Sequence, residues 1–143
     1  MQVWRVNKHK SAQLRAALSH YKNEYGLILF TRQTCIFCQT QYATLGSYSD
    51  RHGWPVKTID IDRNPLAASR FNVTSVPLTI IVKKGADEWM PVAVGEEALT
   101  TIEINVYRAI RFLKGDTNPS QFLQMAHEDG SISDPGRFLE NGL

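Results

Sequence analysis

Two cysteines, Cys35 and Cys38, stand three positions apart in Cys35-Ile36-Phe37-Cys38, and the chain has no others. A disulfide between neighbouring helical turns closes almost no loop. It removes little entropy from the unfolded chain and staples poorly, so the pair suits chemistry better than cross-linking. A sulfur at a helix start meets unpaired backbone N–H groups and the positive end of the helix dipole, and both favour an anion. The thiolate is the attacking form, and such a position lowers its pKa. Cys35 is therefore read as the nucleophile, and Cys38, about one turn further in, as the thiol that resolves a mixed disulfide. Two blander readings compete. The cysteines could be small buried apolar residues, or half of a zinc site. Zinc takes four ligands, usually in paired spacings, and His9, His20, His52 and His127 supply no second pair.

The chemistry needs a buried strand before the pair and a helix after it. Leu27-Ile28-Leu29-Phe30 is a fully apolar run of strand length, and the polar turn Thr31 to Thr34 leads into Cys35. From Cys35 to about Arg51 the chain lacks proline and suits a helix, although Gly46 and nearby serines weaken it. Upstream, Ser11 to Asn23 reads as a helix capped by Ser11, with Leu14, Ala17, Leu18 and Tyr21 at helical spacing. Downstream, Val56 to Ile61 alternates as a strand, and Asn64-Pro65 starts a short helix running to about Phe71. Leu78 to Val82 and Trp89 to Val94 are strands joined by the turn Lys84 to Asp87, hence an antiparallel pair. Glu96 and Glu97 precede a last helix whose stripe is Leu99, Ile102, Val106, Ala109, Ile110 and Leu113. The expected fold is α/β, a mixed four-stranded sheet with helices on both faces. The domain is expected over residues 1–113. Residues 114–143 form a C-terminal extension, with a short helix from Pro119 to His127 and a loosely held tail. Phe122, Met125, Phe138 and Leu139 are candidates for packing back on the domain or for meeting a partner, as is Trp4 for a partner.

Composition excludes several classes of function. The 143 residues suit one domain. With 43% hydrophobic and 21% charged residues the chain is ordinary and globular. A net charge of +2 and the lack of a dense Lys/Arg run argue against nucleic acid. No apolar run approaches the roughly 20 residues of a membrane span, so direct membrane insertion is not expected. Met1 to Lys8 lacks a charged head followed by an apolar stretch, and is read as carrying no signal peptide. The protein is then either cytosolic or the mature form of an exported one.

Val76-Pro77 stands at the start of a strand, one strand and one helix after Cys38. In this combination the chain resembles the thioredoxin superfamily, over roughly Ser11 to Leu113. The resemblance implies a thioredoxin fold with a cis Val76–Pro77 peptide beside the cysteines. It further implies that Val76, Pro77, Ile36 and Phe37 contact extended protein thiol or disulfide substrates, with no cofactor beyond the disulfide itself. The run Leu27 to Cys35, with Phe30-Thr31 and Thr34-Cys35, is similar to the exported oxidase and isomerase branch. Cytosolic thioredoxins carry a buried acid six residues before the first cysteine, and here that residue is Leu29. Strong oxidases carry a His between the cysteines, and here that place holds Phe37. The resemblance therefore implies an intermediate potential, nearer about −180 mV than about −120 mV. A glutaredoxin would show a Gly-Gly pair before the last helix, where only Gly95 stands. Tyr25-Gly26-Leu27, Phe30-Thr31-Arg32, the cysteine pair, Val76-Pro77 and Pro91 to Gly95 together resemble the TraF-type proteins of conjugative type IV secretion. That family's second strand usually ends in Asp-Gly, replaced here by Asp60-Ile61-Asp62. This resemblance implies a periplasmic disulfide oxidoreductase or isomerase acting on envelope proteins of a conjugation apparatus. The rival expectation is a redox-inactive scaffold or interaction module of the secretion assembly.

Overall fold

The computed structural model describes residues 2–115, with side chains from Ser11 onward. The elements are α1 (Gln2–His20), β1 (Tyr25–Thr31), α2 (Ile36–His52), β2 (Val56–Asp60), α3 (Pro65–Arg70), β3 (Leu78–Lys83), β4 (Trp89–Val94) and α4 (Leu99–Leu113). One four-stranded sheet has the order β2-β1-β3-β4. The β1–β2 pair is parallel, with Leu27 opposite Val56 and Thr31 opposite Asp60. The other two pairs are antiparallel, with Phe30 opposite Leu78 and Leu78 opposite Val94. The expected fold class and the expected β3–β4 pairing are both borne out.

Period-two alternation assigns the two sheet faces. Tyr25, Leu27 and Leu29 of β1 and Ile81 of β3 point to one face, where Leu18 of α1, Leu45 and Tyr48 of α2, and Ile102, Val106, Ala109 and Ile110 of α4 cover them. Phe30, Leu78, Ile80 and Trp89 point to the other face, against Phe71, Val73 and Val76 around α3. In β4, adjacent Val92 and Ala93 both join the first core. The register shift between Thr79 and Ile80 accounts for this, because β4 carries one extra residue there. Pro91 is tolerated because β4 is an edge strand.

Several boundaries differ from the expected ones. Ser11 caps nothing, since α1 begins at Gln2, and residues 2–10 hold no Gly or Pro to stop a helix. The helix ends at His20, where Tyr21 N–H and Lys22 N–H switch to the carbonyls of Leu18 and Ser19, a tighter i−3 pattern. β1 is longer than its apolar run because Tyr25 pairs with Lys83 and Thr31 with Asp60. α2 runs one residue further, to His52. It is closed by Gly53 at φ 74°, whose N–H donates to Ser49 O. Asn64 occupies the N-cap of α3 without a capping bond, its Nδ2 donating back to Asp60 O at 3.1 Å. The expectations for Trp4, Phe122, Met125, Phe138, Leu139 and the Pro119–His127 helix fall on side chains or segments outside the described residues.

Candidate active site

The strand register gathers four segments at one end of the sheet. β1 and β2 finish there at Thr31 and Asp60, β3 starts at Leu78 and β4 ends at Val94. The β1–α2 turn, the β2–α3 loop, Val76-Pro77 and the Gly95–Glu97 loop therefore share that end. Backbone bonds tie them together. Cys35 N–H donates to Arg32 O at 3.2 Å, Ile61 N–H to Thr31 O at 2.9 Å, and Gly95 N–H to Pro77 O at 2.9 Å. The Val76–Pro77 peptide is cis, as expected.

Cys35 is the N-cap of α2, in extended conformation at φ −97° and ψ 107°. Its Sγ accepts the Cys38 N–H at 3.1 Å, so the sulfur takes the place a Ser or Asp oxygen holds in an ordinary cap. Cys35 and Cys38 are disulfide-bonded, with Cα atoms 5.2 Å apart. Cys38 is 3% exposed, while Cys35 is only partly covered. The residues between them are open, Ile36 at 70% and Phe37 at 60% exposure. Pro77 is buried and Val76 half-buried. The arrangement offers a sulfur at a helix N-terminus that an outside thiol can reach, and a second sulfur that it cannot.

Charge lies beside this end rather than under it. Arg32, in the turn before Cys35, donates through Nε and Nη2 to Asp62 at 3.0 and 3.2 Å. Those bonds and the carboxylate charge raise the Arg32 pKa above its ordinary value. Asp60 Oδ1 accepts the Asp62 N–H at 2.9 Å and shapes the loop that carries Asp62. Leu29, six residues before Cys35, is fully buried, so no acid occupies that position beneath the pair.

Sequence reasoning missed three polar features. Gln41 is fully buried, and its Oε1 accepts the Glu97 N–H at 2.7 Å. Its signal was available: the buried stripe of α2 is Cys38, Gln41, Leu45, Tyr48 and His52, and an amide inside an apolar stripe invites a question. At the far end of α2, Glu103 of α4 meets His52 Nε2 at 2.5 Å and Arg51 Nη1 at 3.3 Å. The Arg32–Asp62 pair joins positions 30 apart, and no local pattern announces it. Among the described residues no group of His, Cys, Asp and Glu could hold a metal ion.

A thioredoxin-like domain with a redox-type cysteine pair is the class these features define, and solved structures agree on the fold. A chloroplastic thioredoxin z is 20% identical, with a TM-score of 0.51, over 68% of this chain and 88% of that one. A thioredoxin of Fasciola hepatica is 20% identical, with a TM-score of 0.51, over 69% and 93%. A thioredoxin of Trichomonas vaginalis is 24% identical, with a TM-score of 0.50, over 66% and 89%. No curated protein matches the sequence. The sequence model of the family described as TraF, F plasmid transfer operon protein, matches residues 2–107, and the chain belongs to that family.

Proposed function

We propose that this chain is a thiol–disulfide oxidoreductase that forms or reshuffles disulfides in envelope proteins of a conjugative transfer system, working in the periplasm. The observation that carries the reading is Cys35 Sγ at the α2 N-cap, accepting an N–H bond and bonded to a buried Cys38. In the oxidising direction, a substrate thiolate attacks Cys35 Sγ. A mixed disulfide forms and Cys38 leaves as thiolate, taking a proton from solvent. The substrate's second thiolate then attacks the substrate sulfur of the mixed disulfide, and Cys35 leaves as a thiolate that the helix N-terminus stabilises. The substrate gives two electrons to the cysteine pair; its two thiol protons go to solvent, from which Cys38 takes one back while Cys35 stays a thiolate. In reshuffling, the reduced Cys35 thiolate attacks a wrong disulfide, and Cys38 releases any complex that stalls. Ile36 and Phe37 supply an exposed apolar contact beside the sulfur, and Val76-Pro77 presents the substrate backbone. Membership of the TraF family supports the conjugative setting. Among the described residues no helix is long and apolar enough to cross a membrane.

The test is equilibration of the Cys35–Cys38 couple in glutathione buffers, with refolding of a scrambled multi-disulfide protein and reduction of insulin on the same preparation. The expected potential lies nearer about −180 mV than about −120 mV, with activity in at least one assay. A couple that equilibrates with glutathione yet acts in neither assay overturns the general enzyme and leaves a scaffold or a single dedicated partner.

A further inference from the structure

Gln41 lies one helical turn after Cys38 on the same buried face of α2, and its side chain is fully buried. The two ends of its amide are told apart by their surroundings. Oε1 accepts the Glu97 N–H at 2.7 Å, which fixes the other atom as the NH2 donor. That Nε2 has no acceptor among the described residues. Leaving a buried donor unpaired is costly, and the position is tightly held. The Gly95–Glu97 loop that Gln41 binds also donates its Gly95 N–H to Pro77 O. Gln41 thus ties the cysteine helix to the strand that begins after Val76-Pro77.

We infer that Gln41 is a positioning residue for the second sulfur, its Nε2–H taking the Cys38 thiolate as acceptor once the Cys35–Cys38 bond opens. The inference rests on the reading of this pair as an exchange site. Residues three apart on a helix are neighbours, so a small side-chain adjustment joins the amide to a sulfur released from the disulfide. A donor there holds Cys38 in the form that attacks. The Cys38 thiolate displaces the substrate thiolate from Cys35 Sγ and restores the disulfide. The proton Cys38 had carried passes through solvent to the departing substrate thiolate. An amide accepts no proton in this step, which sets it apart from a buried acid, and the acid's usual position holds Leu29.

Other groups at this end leave that role open. Arg32 is engaged by Asp62, and Asp60, Asp62, Glu96 and Glu97 are anionic or acceptors and lie on strand ends and loops. Thr79, on the sheet face that α2 covers, is buried and its Oγ1 also has no partner among the described residues, so it is the competing donor. Thr79→Val with Gln41 intact should leave the Cys38 midpoint unmoved. Tyr48 and His52 lie further down the α2 face, and His52 is held by Glu103. Tyr25 of β1 and Lys83 of β3 pair with each other at the opposite end of the sheet.

The test uses the full chain carrying Cys35→Ser, so that Cys38 is the single thiol, and follows its alkylation rate against pH. Adding Gln41→Met or Gln41→Leu removes the donor without placing a charge or a new acid beside Cys38. Either change should move the midpoint up by about one pH unit, a roughly tenfold slower reaction at fixed neutral pH. The native near-ultraviolet signal of buried Trp54 and Trp89 shows which variants fold. An unmoved midpoint in a folded Gln41 variant overturns the inference. If the chain with both cysteines fails to exchange with glutathione, the reading of the pair itself fails, whatever the midpoints do.

Discussion

Helix α2 carries polar chemistry at both ends, and the two ends are built on opposite plans. At the N-terminal end the polar atom is a sulfur that accepts one backbone N–H, and the flanking Ile36 and Phe37 stand in solvent. At the C-terminal end Arg51 and His52 converge on a carboxylate from α4, with Glu103 and His52 both buried. Tyr48 packs on the His52 ring at 4.6 Å and edge-on to Trp54 at 5.5 Å, and Trp54 stacks with Tyr25 at 6.1 Å. The dipole favours negative charge at one end and donors such as Arg51 at the other. The first end leaves its anion site open to exchange with outside sulfur. The second satisfies its charge inside the fold and fixes α2 against α4. Reactivity and anchoring are thus separated along a single helix.

The sharpest way to break this comparison is Cys35→Ser. It should abolish exchange with glutathione and any insulin reduction, while the unfolding midpoint stays that of the reduced wild-type chain. Retained exchange would move the reactive group away from the N-terminal end. The next effect concerns the anchored end. Glu103→Ala leaves His52 buried without that partner and should cost about 3 kcal/mol in urea unfolding. The alkylation profile of Cys35 should not move. A shift in that profile would show that the two ends are coupled and that the separation is false.

A smaller effect tests the aromatic wall behind the anchor. Burial, with help from nearby Glu24 and Glu88, pushes the Tyr25 pKa up to about 12, and burial raises Tyr48 as well. Between about pH 10 and 12 the unfolded chain sheds the Tyr25 proton while the folded chain keeps it. The stability tied to that proton is complete below about pH 10 and is lost as pH rises through about 12. It amounts to at most roughly 3 kcal/mol for a shift of this size. Tyr25→Phe should flatten part of the alkaline fall in urea midpoints, Tyr48 supplying the rest. It should do little at pH 7, because the Tyr25 hydroxyl has no partner among the described residues. A strong loss at pH 7 would mean that the hydroxyl anchors the wall.

Local spacing determined a good deal of this protein. The cysteine pair after an apolar run announced a sulfur at a helix start, whereas the cis Val76–Pro77 peptide was implied only by the family resemblance. The stripe from Leu99 to Leu113 announced α4 and its buried face. The helix start and the stripe depend on neighbours within a few residues, where periodicity and capping preference speak directly. Tertiary structure alone decided the strand order, the bulge that turns both Val92 and Ala93 inward, and the partners of the buried polar groups. Arg32 finds Asp62, Glu103 finds His52, and the Glu97 N–H finds Gln41 across 30, 51 and 56 positions. A side chain's type says that it needs a partner when buried, but which partner it meets is fixed only when strands and helices are stacked.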